Sequence, residues 1–313
     1  MPLSAAIGQE SIAPATMPAM GVTVHLVDGT YELFRHFYAV PSKVTARGEE
    51  VAATRGVLSS MLQLLGEGAT HVGVATDHVI ESFRNDLWPS YKDGSGVDPR
   101  LKSQFTLLED ALRAMGLTVW AMVEDEADDA LASAAVAAAK DDDVDEVIIC
   151  TPDKDLGQVV GIGGKVVQLD RRKKERRDVD GVIAKFGVPP SSIPDYLALV
   201  GDSADGYPGL QGWGAKGAAK VLSRWGTIEA IPDDVLDWDV NVPGVRSMAA
   251  RLTEQKANAL LFKTLATLRT DCEVGTVDEW RWTGPTEDFE AITERLEAPD
   301  LLTRAAALAK KRT

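Results

Sequence analysis

The sequence predicts an α/β protein with a mostly parallel sheet flanked by helices, followed by a helical region. Three observations predict this. Short β-branched apolar runs recur as far as about residue 170 without in–out alternation, which suits strands buried on both faces. Each run leads into a turn carrying an acid and then a helix-like stretch, the order expected of a parallel sheet. After about residue 190 the runs stop, and helical segments broken by Gly and Pro take over.

In order along the chain, residues 1–20 carry Pro, Ser and Ala without periodicity and read as a loose leader, with Met20 as a candidate start. Strands are expected over 22–27, 72–76, 118–122, 146–150 and 165–169. Helices are expected over 51–66, 99–115 and 127–140, the last rich in alanine. The basic run 171–177 follows a strand and reads as an exposed hairpin end, with phosphate contact as the alternative. The first domain is therefore set at 21–190 and the helical region at 191–313. Within the latter, 191–230 reads as a compact helical unit, 231–250 as an irregular connection, and 251–270 and 286–312 as helices.

Composition bounds the class. The 313 residues are 45% hydrophobic, ample for a core. No apolar run approaches a membrane span of about 18 residues, and no signal pattern opens the chain. Cys150 and Cys272 cannot make a disulfide framework, so a cytoplasmic protein is expected. With 33 basic against 48 acidic residues the net charge is −15, which on its face argues against a nucleic-acid partner. The four histidines lack zinc-ligand spacing, and there is no Walker A loop, no Gly-x-Ser-x-Gly and no Gly-x-Gly-x-x-Gly after a strand.

The acids are unevenly placed. Ligands of open parallel sheets bind beyond the strands' carboxyl ends. Asp28 and Asp77 directly follow the first two expected strands, Glu126, Asp128 and Asp129 the third, and Asp153 and Asp155 the fourth. Asp202 and Asp205 precede a glycine-rich turn. Singly, each reads as a turn former, an N-cap or a partner of a helix dipole. Together they would repel one another unless cations compensate them, and hard divalent ions with oxygen ligands are the natural compensation. The reading is a two-ion acidic site suited to in-line displacement at phosphorus.

Two further segments suit a polyanionic substrate. Gly209, Gly212 and Gly214 allow close backbone approach, and a helix starting near Ala215 points free N–H groups at an anion. Lys216, Lys220 and Arg224 recur every four residues on one helix face, a sequence-independent clamp on phosphates. The bland alternative is a helical hairpin with a solvated basic face. Shortly after Asp77, Arg84 and Lys92 are placed to steady a scissile phosphate, and Tyr91 or Trp88 to stack on a base, although aromatics beside a proline are more often packing.

These residues, in this order, resemble the 5′-nuclease (flap endonuclease) family, specifically the bacterial 5′→3′ exonuclease domain at the front of DNA polymerase I. The matching pieces are Val27-Asp28-Gly29 with Arg35, Asp77 with Phe83-Arg84 and Tyr91-Lys92, and Glu126-Ala127-Asp128-Asp129. They continue with Thr151-Pro152-Asp153-Lys154-Asp155-Leu156, Gly201-Asp202-Ser203-Ala204-Asp205, and the turn from Pro208-Gly209 to Lys216. The resemblance implies a PIN-like fold, a helical arch at about 80–110, and a helix–three-turn–helix at about 201–226, often with a K⁺ ion. It implies one metal held by Asp28, Asp77, Glu126 and Asp128, and another by Asp153, Asp155, Asp202 and Asp205, with Asp128 as a bridge and Asp129 acting through water. Arg84 and Lys92 become arch cations and Arg35 a substrate-positioning cation. The chain departs from the family at Gly206 (usually Asn), Trp213 (usually branched aliphatic), Gly217 (usually hydroxyl-bearing) and the acidic stretch 93–98.

The expected function is a metal-dependent 5′→3′ exonuclease and 5′-flap endonuclease in DNA replication and repair, with two Mg²⁺ ions for which Mn²⁺ substitutes. A nucleoid-associated monomer is expected, with a DNA polymerase or a sliding clamp as the class of protein partner. The rivals are a PIN-type ribonuclease and a non-cleaving structure-specific DNA-binding protein.

Overall fold

A computed structural model describes residues 21–312, so the expected leader over 1–20 lies outside the described residues. Six strands form one sheet: β1 (Val22–Asp28), β2 (His71–Asp77), β3 (Thr118–Met122), β4 (Val144–Cys150), β5 (Val166–Asp170) and β6 (Glu175–Arg177). Their order is β3-β2-β1-β4-β5-β6, parallel except for β6, which pairs antiparallel with β5. From β1 the chain builds outward first through β2 and β3, then on the other side through β4 and β5. The order therefore reverses between β1 and β4, and the carboxyl ends beside that reversal are where a ligand belongs.

The helices are α1 (Gly29–Ala39), α2 (Ala52–Gly66), α3 (Phe83–Leu87), α4 (Pro99–Lys102), α5 (Gln104–Ala114), α6 (Ala127–Ala139) and α7 (Val179–Phe186). They continue with α8 (Ile193–Val200), α9 (Ala215–Trp225), α10 (Val245–Glu254), α11 (Lys256–Ala266), α12 (Phe289–Arg295) and α13 (Pro299–Arg312). β1 divides its side chains between two layers. Val27 joins Leu58 and Leu62 of α2 and Leu108 and Leu112 of α5 in one core. Val24 and Leu26 face the other way, onto the alanines of α6, whose small side chains let the helix lie close to the sheet. A third core holds α8, α9, α10 and α11 around Trp213, Trp238 and Phe262.

The expected α/β class and helical continuation stand, and several boundaries change. The helix expected over 99–115 is interrupted at Ser103, and the one over 251–270 breaks at Gln255 and stops at Ala266. The one over 286–312 breaks before Pro299, with Glu297 at φ 51°. The connection 231–250 already enters α10 at Val245. Residues 80–110 do not form a continuous arch. They make α3, a turn of 3-10 helix at Gly94–Gly96, α4 and part of α5, because Pro89, Pro99 and two glycines interrupt any longer helix. The basic run is a hairpin end, with Lys174 left-handed at its tip (φ 56°). Finally, α12 and α13 do not join the helical region. They return to the first core, where Phe289, Leu301 and Ala305 are buried with α2 and α5.

Candidate active site

Each strand end fixes its acid by local hydrogen bonding. Asp28 caps α1, accepting from the Tyr31 N–H at 2.7 Å, and its other oxygen accepts from Thr151 Oγ1 at 2.9 Å. Asp77 closes β2 and accepts from the Ala127 N–H at 2.8 Å, which ties it to the start of α6. Glu126 caps α6 and is buried among donors: Ser82 Oγ at 2.7 Å, Lys92 Nζ at 2.7 Å and Arg84 at 3.3 Å. After β4, the Asp155 N–H donates to Asp153 Oδ1 at 3.0 Å. Residues 202–207 form a loop closed by paired backbone bonds of 2.8 and 3.0 Å between Asp202 and Tyr207, which presents Asp202 and Asp205 to the sheet edge.

One set of carboxylates converges. Oxygens of Asp155, Asp202 and Asp205 all lie within 4.8 Å of one another, the one such group among the described residues. Asp155 Oδ1 and Asp202 Oδ2 are buried and find no hydrogen-bond donor apart from one lysine. The Lys154 ammonium sits beside both, 3.4 Å from Asp155 and in contact with Asp202. Asp28, Asp77, Glu126 and Asp128 do not gather as tightly, each of the first three being turned to the donors just named. Asp153 likewise stands outside the tight group.

Electrostatics mark the whole cluster. Burial, then the neighbouring Asp77 and Asp153, pushes Asp28 up to about 7. Burial, reinforced by Asp153 and Asp28, holds Asp128 well above the carboxylate range. Burial and Asp153 do the same for Asp155, and burial raises Asp205 to about 6 against the pull of Lys92. Asp77 is raised by burial. Buried carboxyls raised by one another make a site that takes up cations or protons.

Three expected site residues have other roles. Arg84 is 1% exposed and makes a bidentate pair with Asp129 at 2.7 and 2.8 Å, with its Nε donating to the Leu265 carbonyl. It is a buried clasp between α3, α6 and the end of α11, and cannot reach a substrate. Asp129 is fully buried, and its oxygens also accept from the Glu126 and Arg269 N–H groups, which leaves no oxygen for a metal or its water. Burial pushes Asp129 up, but the Arg84 guanidinium outweighs it and holds the carboxyl below its usual range. Tyr91 is buried with its hydroxyl 3.4 Å from Glu126, so its ring offers no stacking face; Trp88 packs edge-on against Phe262.

The remaining cations are accessible. Lys92 bridges Glu126 and Asp205 (3.6 Å) at the site. Arg35 pairs with Glu32 and lines a 610 Å³ cleft with Arg171, Arg172 and Lys174. On α9, Lys216 is exposed, Lys220 donates to the Asn241 carbonyl at 2.6 Å, and Arg224 pairs with Asp239 at 2.8 Å. Gly209 (φ 66°) lies against the backbone of Val200 and Gly201, where a Cβ would collide. Gly212 and Gly214 border open space. Gly206 (φ 81°) is needed too: a Cβ there would strike the Ser90 carbonyl, and Lys92 N–H donates to the adjacent Asp205 carbonyl at 3.0 Å. Trp213 is core, its indole donating to the Met248 carbonyl at 3.2 Å. Sequence reasoning gave no role to Lys154, Thr151 or Ser82; for Lys154, the flanking Asp153 and Asp155 were the available signal.

Comparison with known proteins agrees with this architecture. A family model described as the 5′-3′ exonuclease N-terminal resolvase-like domain matches residues 23–187, and its C-terminal SAM-fold partner matches 188–288. DNA polymerase I of Pseudomonas aeruginosa is 36% identical over 253 residues, covering 80% of this chain and 27% of that protein. The thermostable DNA polymerase I of Thermus aquaticus is 34% identical over 281 residues, covering 89% and 32%. The chain thus spans about a third or less of the length of these curated relatives. Among solved structures, T5 5′-exonuclease with bound zinc superposes with a TM-score of 0.60 at 18% identity, covering 92% of this chain and 98% of that one. The catalytic core of Rad2 in complex with a DNA substrate gives 0.61 at 14%, covering 92% and 93%. With its sheet domain and its helical domain both matched in order, the chain belongs to the 5′-3′ exonuclease family of nucleases.

Proposed function

We propose that this chain is a divalent-metal-dependent, structure-specific 5′ nuclease that hydrolyses DNA phosphodiester bonds at 5′ ends and flaps during replication and repair. The observation that carries the reading is the convergence of Asp155, Asp202 and Asp205, where the β4 end meets the helical domain, with two buried oxygens that face no donor but the Lys154 ammonium. An all-carboxylate donor set fits a hard ion, Mg²⁺ with Mn²⁺ as substitute. In this reading Asp155, Asp202 and Asp205, with Asp153 beside them, hold one ion, and Asp28, Asp77, Glu126 and Asp128 the other. Bound there, such ions supply Lewis acidity and a water of lowered pKa.

The chain's own residues do the rest. Lys92, set between Glu126 and Asp205, offers an ammonium to a phosphate at the edge of the cluster. The N-terminus of α9, with Gly209, Gly212 and Gly214 before it and Lys216 in its first turn, seats the backbone of a duplex, and a K⁺ ion fits this reading of the turn. Lys220, Arg224 and the Arg35 cleft extend the phosphate track. Displacement of the 3′ oxygen by water leaves a 5′-phosphate and a 3′-hydroxyl. DNA polymerase I contains the matched stretch in the relatives, so a polymerase or sliding clamp is the proposed partner class of a cytoplasmic, nucleoid-associated monomer. Among the described residues no helix is long and apolar enough to cross a membrane.

The test is cleavage of a 5′-flap duplex beside single-stranded RNA of matched length, in Mg²⁺, in Mn²⁺ and in EDTA. Metal-dependent release of the flap is expected. Binding without cleavage, or preferential cutting of the RNA, would sink the proposal.

A further inference from the structure

We infer that Lys154 is a counter-ion built into the metal site: its ammonium holds Asp155 and Asp202 together and competes with a divalent cation for them. It thereby sets the metal concentration at which this half of the site loads. The inference rests on the proposed metal-dependent reading.

The two oxygens in question define the position. Asp155 Oδ1 and Asp202 Oδ2 are buried, face no donor other than the Lys154 ammonium, and belong to the converging group. Lys154 is the cation placed against both, at 3.4 Å from Asp155 and in contact with Asp202. Lys92 cannot take over, because it is drawn to Glu126 at 2.7 Å and stands 3.6 Å from the third member, Asp205. Asp155 and Asp202 share one ammonium, and Asp205 has only the more distant Lys92, which Glu126 also holds. The three therefore remain undercompensated, whereas a divalent ion supplies twice the charge of an ammonium in a smaller volume.

The side chain is also able to leave. The Lys154 backbone is fixed, since its carbonyl accepts from the Gly157 N–H at 3.0 Å and the following Asp155 N–H is held by Asp153. Its side chain is 31% exposed on a flexible stem, against 4% for Asp202, so the ammonium can swing to solvent while the carboxylates stay. A cation that occupies ligand oxygens and must withdraw before a metal binds is coupled to that metal negatively, and the coupling is reciprocal. Removing it makes the metal-bound state easier to reach and the metal-free state less stable, because buried carboxylates lose their compensation.

The experiment uses the full chain with Lys154→Met, the charge-retaining Lys154→Arg, and Lys140→Met at the far end of α6 as a control for net charge. Mn²⁺ affinity is read by calorimetry, and melting temperature is read in EDTA and in saturating Mn²⁺. Lys154→Met is expected to bind Mn²⁺ about tenfold tighter, within the span usual for coupled sites. It should melt lower than the parent in EDTA and recover in Mn²⁺. Lys154→Arg should stay near the parent, and Lys140→Met should change neither reading. Unchanged or weaker Mn²⁺ affinity in Lys154→Met, or a melting loss that Mn²⁺ does not restore, overturns the inference and makes Lys154 a structural ion pair. A parent chain that binds no Mn²⁺ overturns the metal-site reading as well, so the two failures are told apart.

Discussion

Arg84 and Asp129 show how one residue's neighbours decide its role. In sequence, Arg84 stands near a strand-end acid and looks like a substrate cation; in the fold it is buried in a bidentate pair that also reaches the Leu265 carbonyl. Asp128 and Asp129 are adjacent on a helix, so their side chains point about 100° apart. One faces the acidic cluster and the other faces Arg84, a distinction that composition alone does not carry. Breaking a buried pair strands a charge, so Arg84→Met is expected to cost about 3–5 kcal/mol in urea unfolding, and Arg84→Lys to recover little of it because the fork geometry is lost. A change in cleavage with unaltered stability would contradict this assignment. The raised carboxyls give a second prediction. Asp28 at about 7 and Asp205 at about 6 retain protons in the folded, metal-free chain that the unfolded chain has shed above its ordinary value of 3.8. Their contribution is therefore least unfavourable at the acid end of that window and becomes more so as pH rises through the folded values. Divalent ions displace those protons, so the melting-temperature difference between saturating Mg²⁺ and EDTA should widen from pH 5 to pH 8. His25, held down at about 4 by burial, titrates alike in both arms and drops out of the difference. A difference independent of pH would show that these carboxyls are not the ligands.

At the level of elements, the strands were legible because both-face burial selects unbroken β-branched runs, and the acids at their ends were legible because a parallel sheet sends every strand's carboxyl end to one edge. The interruptions at Ser103 and Gln255 were not, since neither residue breaks a helix by propensity and the breaks follow from packing. The three-residue β6 was too short to carry a pattern and exists because the chain turns back on β5. Likewise the basic stripe of α9 was legible as a stripe but not as three unequal residues. Lys216 is exposed in the helix's first turn, whereas Arg224, in the last, is tied to Asp239 across the surface. An exposed pair is worth only about 0.2–1 kcal/mol, so it lowers the share of Arg224 in any phosphate contact without abolishing it. Lys216→Ala is therefore expected to weaken duplex binding across all sequences and to reduce the salt slope by about one, with Arg224→Ala doing less. Fluorescence anisotropy between 50 and 200 mM salt, as an approximate range, reads both quantities. Equal effects of the two variants would remove the special place given to the helix N-terminus.

For the whole molecule, the net charge of −15 first argued against a nucleic-acid enzyme, yet nine of its acids lie at the strand and loop ends around one sheet edge. Cations stand against these acids, Lys92 and Lys154 among them, and others are grouped on α9 and in the cleft of Arg35, Arg171, Arg172 and Lys174, so the net figure conceals local groupings of basic residues. The same chain closes on itself at its far end. After the helical domain, Trp282 donates from its indole to the Met115 carbonyl at 2.8 Å, Arg295 pairs with Glu49 at 2.6 Å, and Glu297 pairs with Lys43 at 2.8 Å. These contacts bring Phe289, fully buried, into the core of α2 and α5, where it joins Leu296 and Leu301. The last segment is thus part of the sheet domain's core although it follows the helical domain in sequence, and sequence order alone had assigned it to the latter. Phe289→Ala removes a buried ring from a packed core and is expected to cost about 3–5 kcal/mol, with Phe289→Leu costing clearly less because most of the volume is kept. Since Phe289 touches none of the acidic residues, Mn²⁺ affinity measured where the variant is still folded should equal the parent's. Urea unfolding monitored at two wavelengths, with Mn²⁺ titration alongside, reads both. A variant as stable as the parent would mean that α12 and α13 lie against the domain without forming part of its core, and a lowered Mn²⁺ affinity would mean that the two ends of the sheet are coupled.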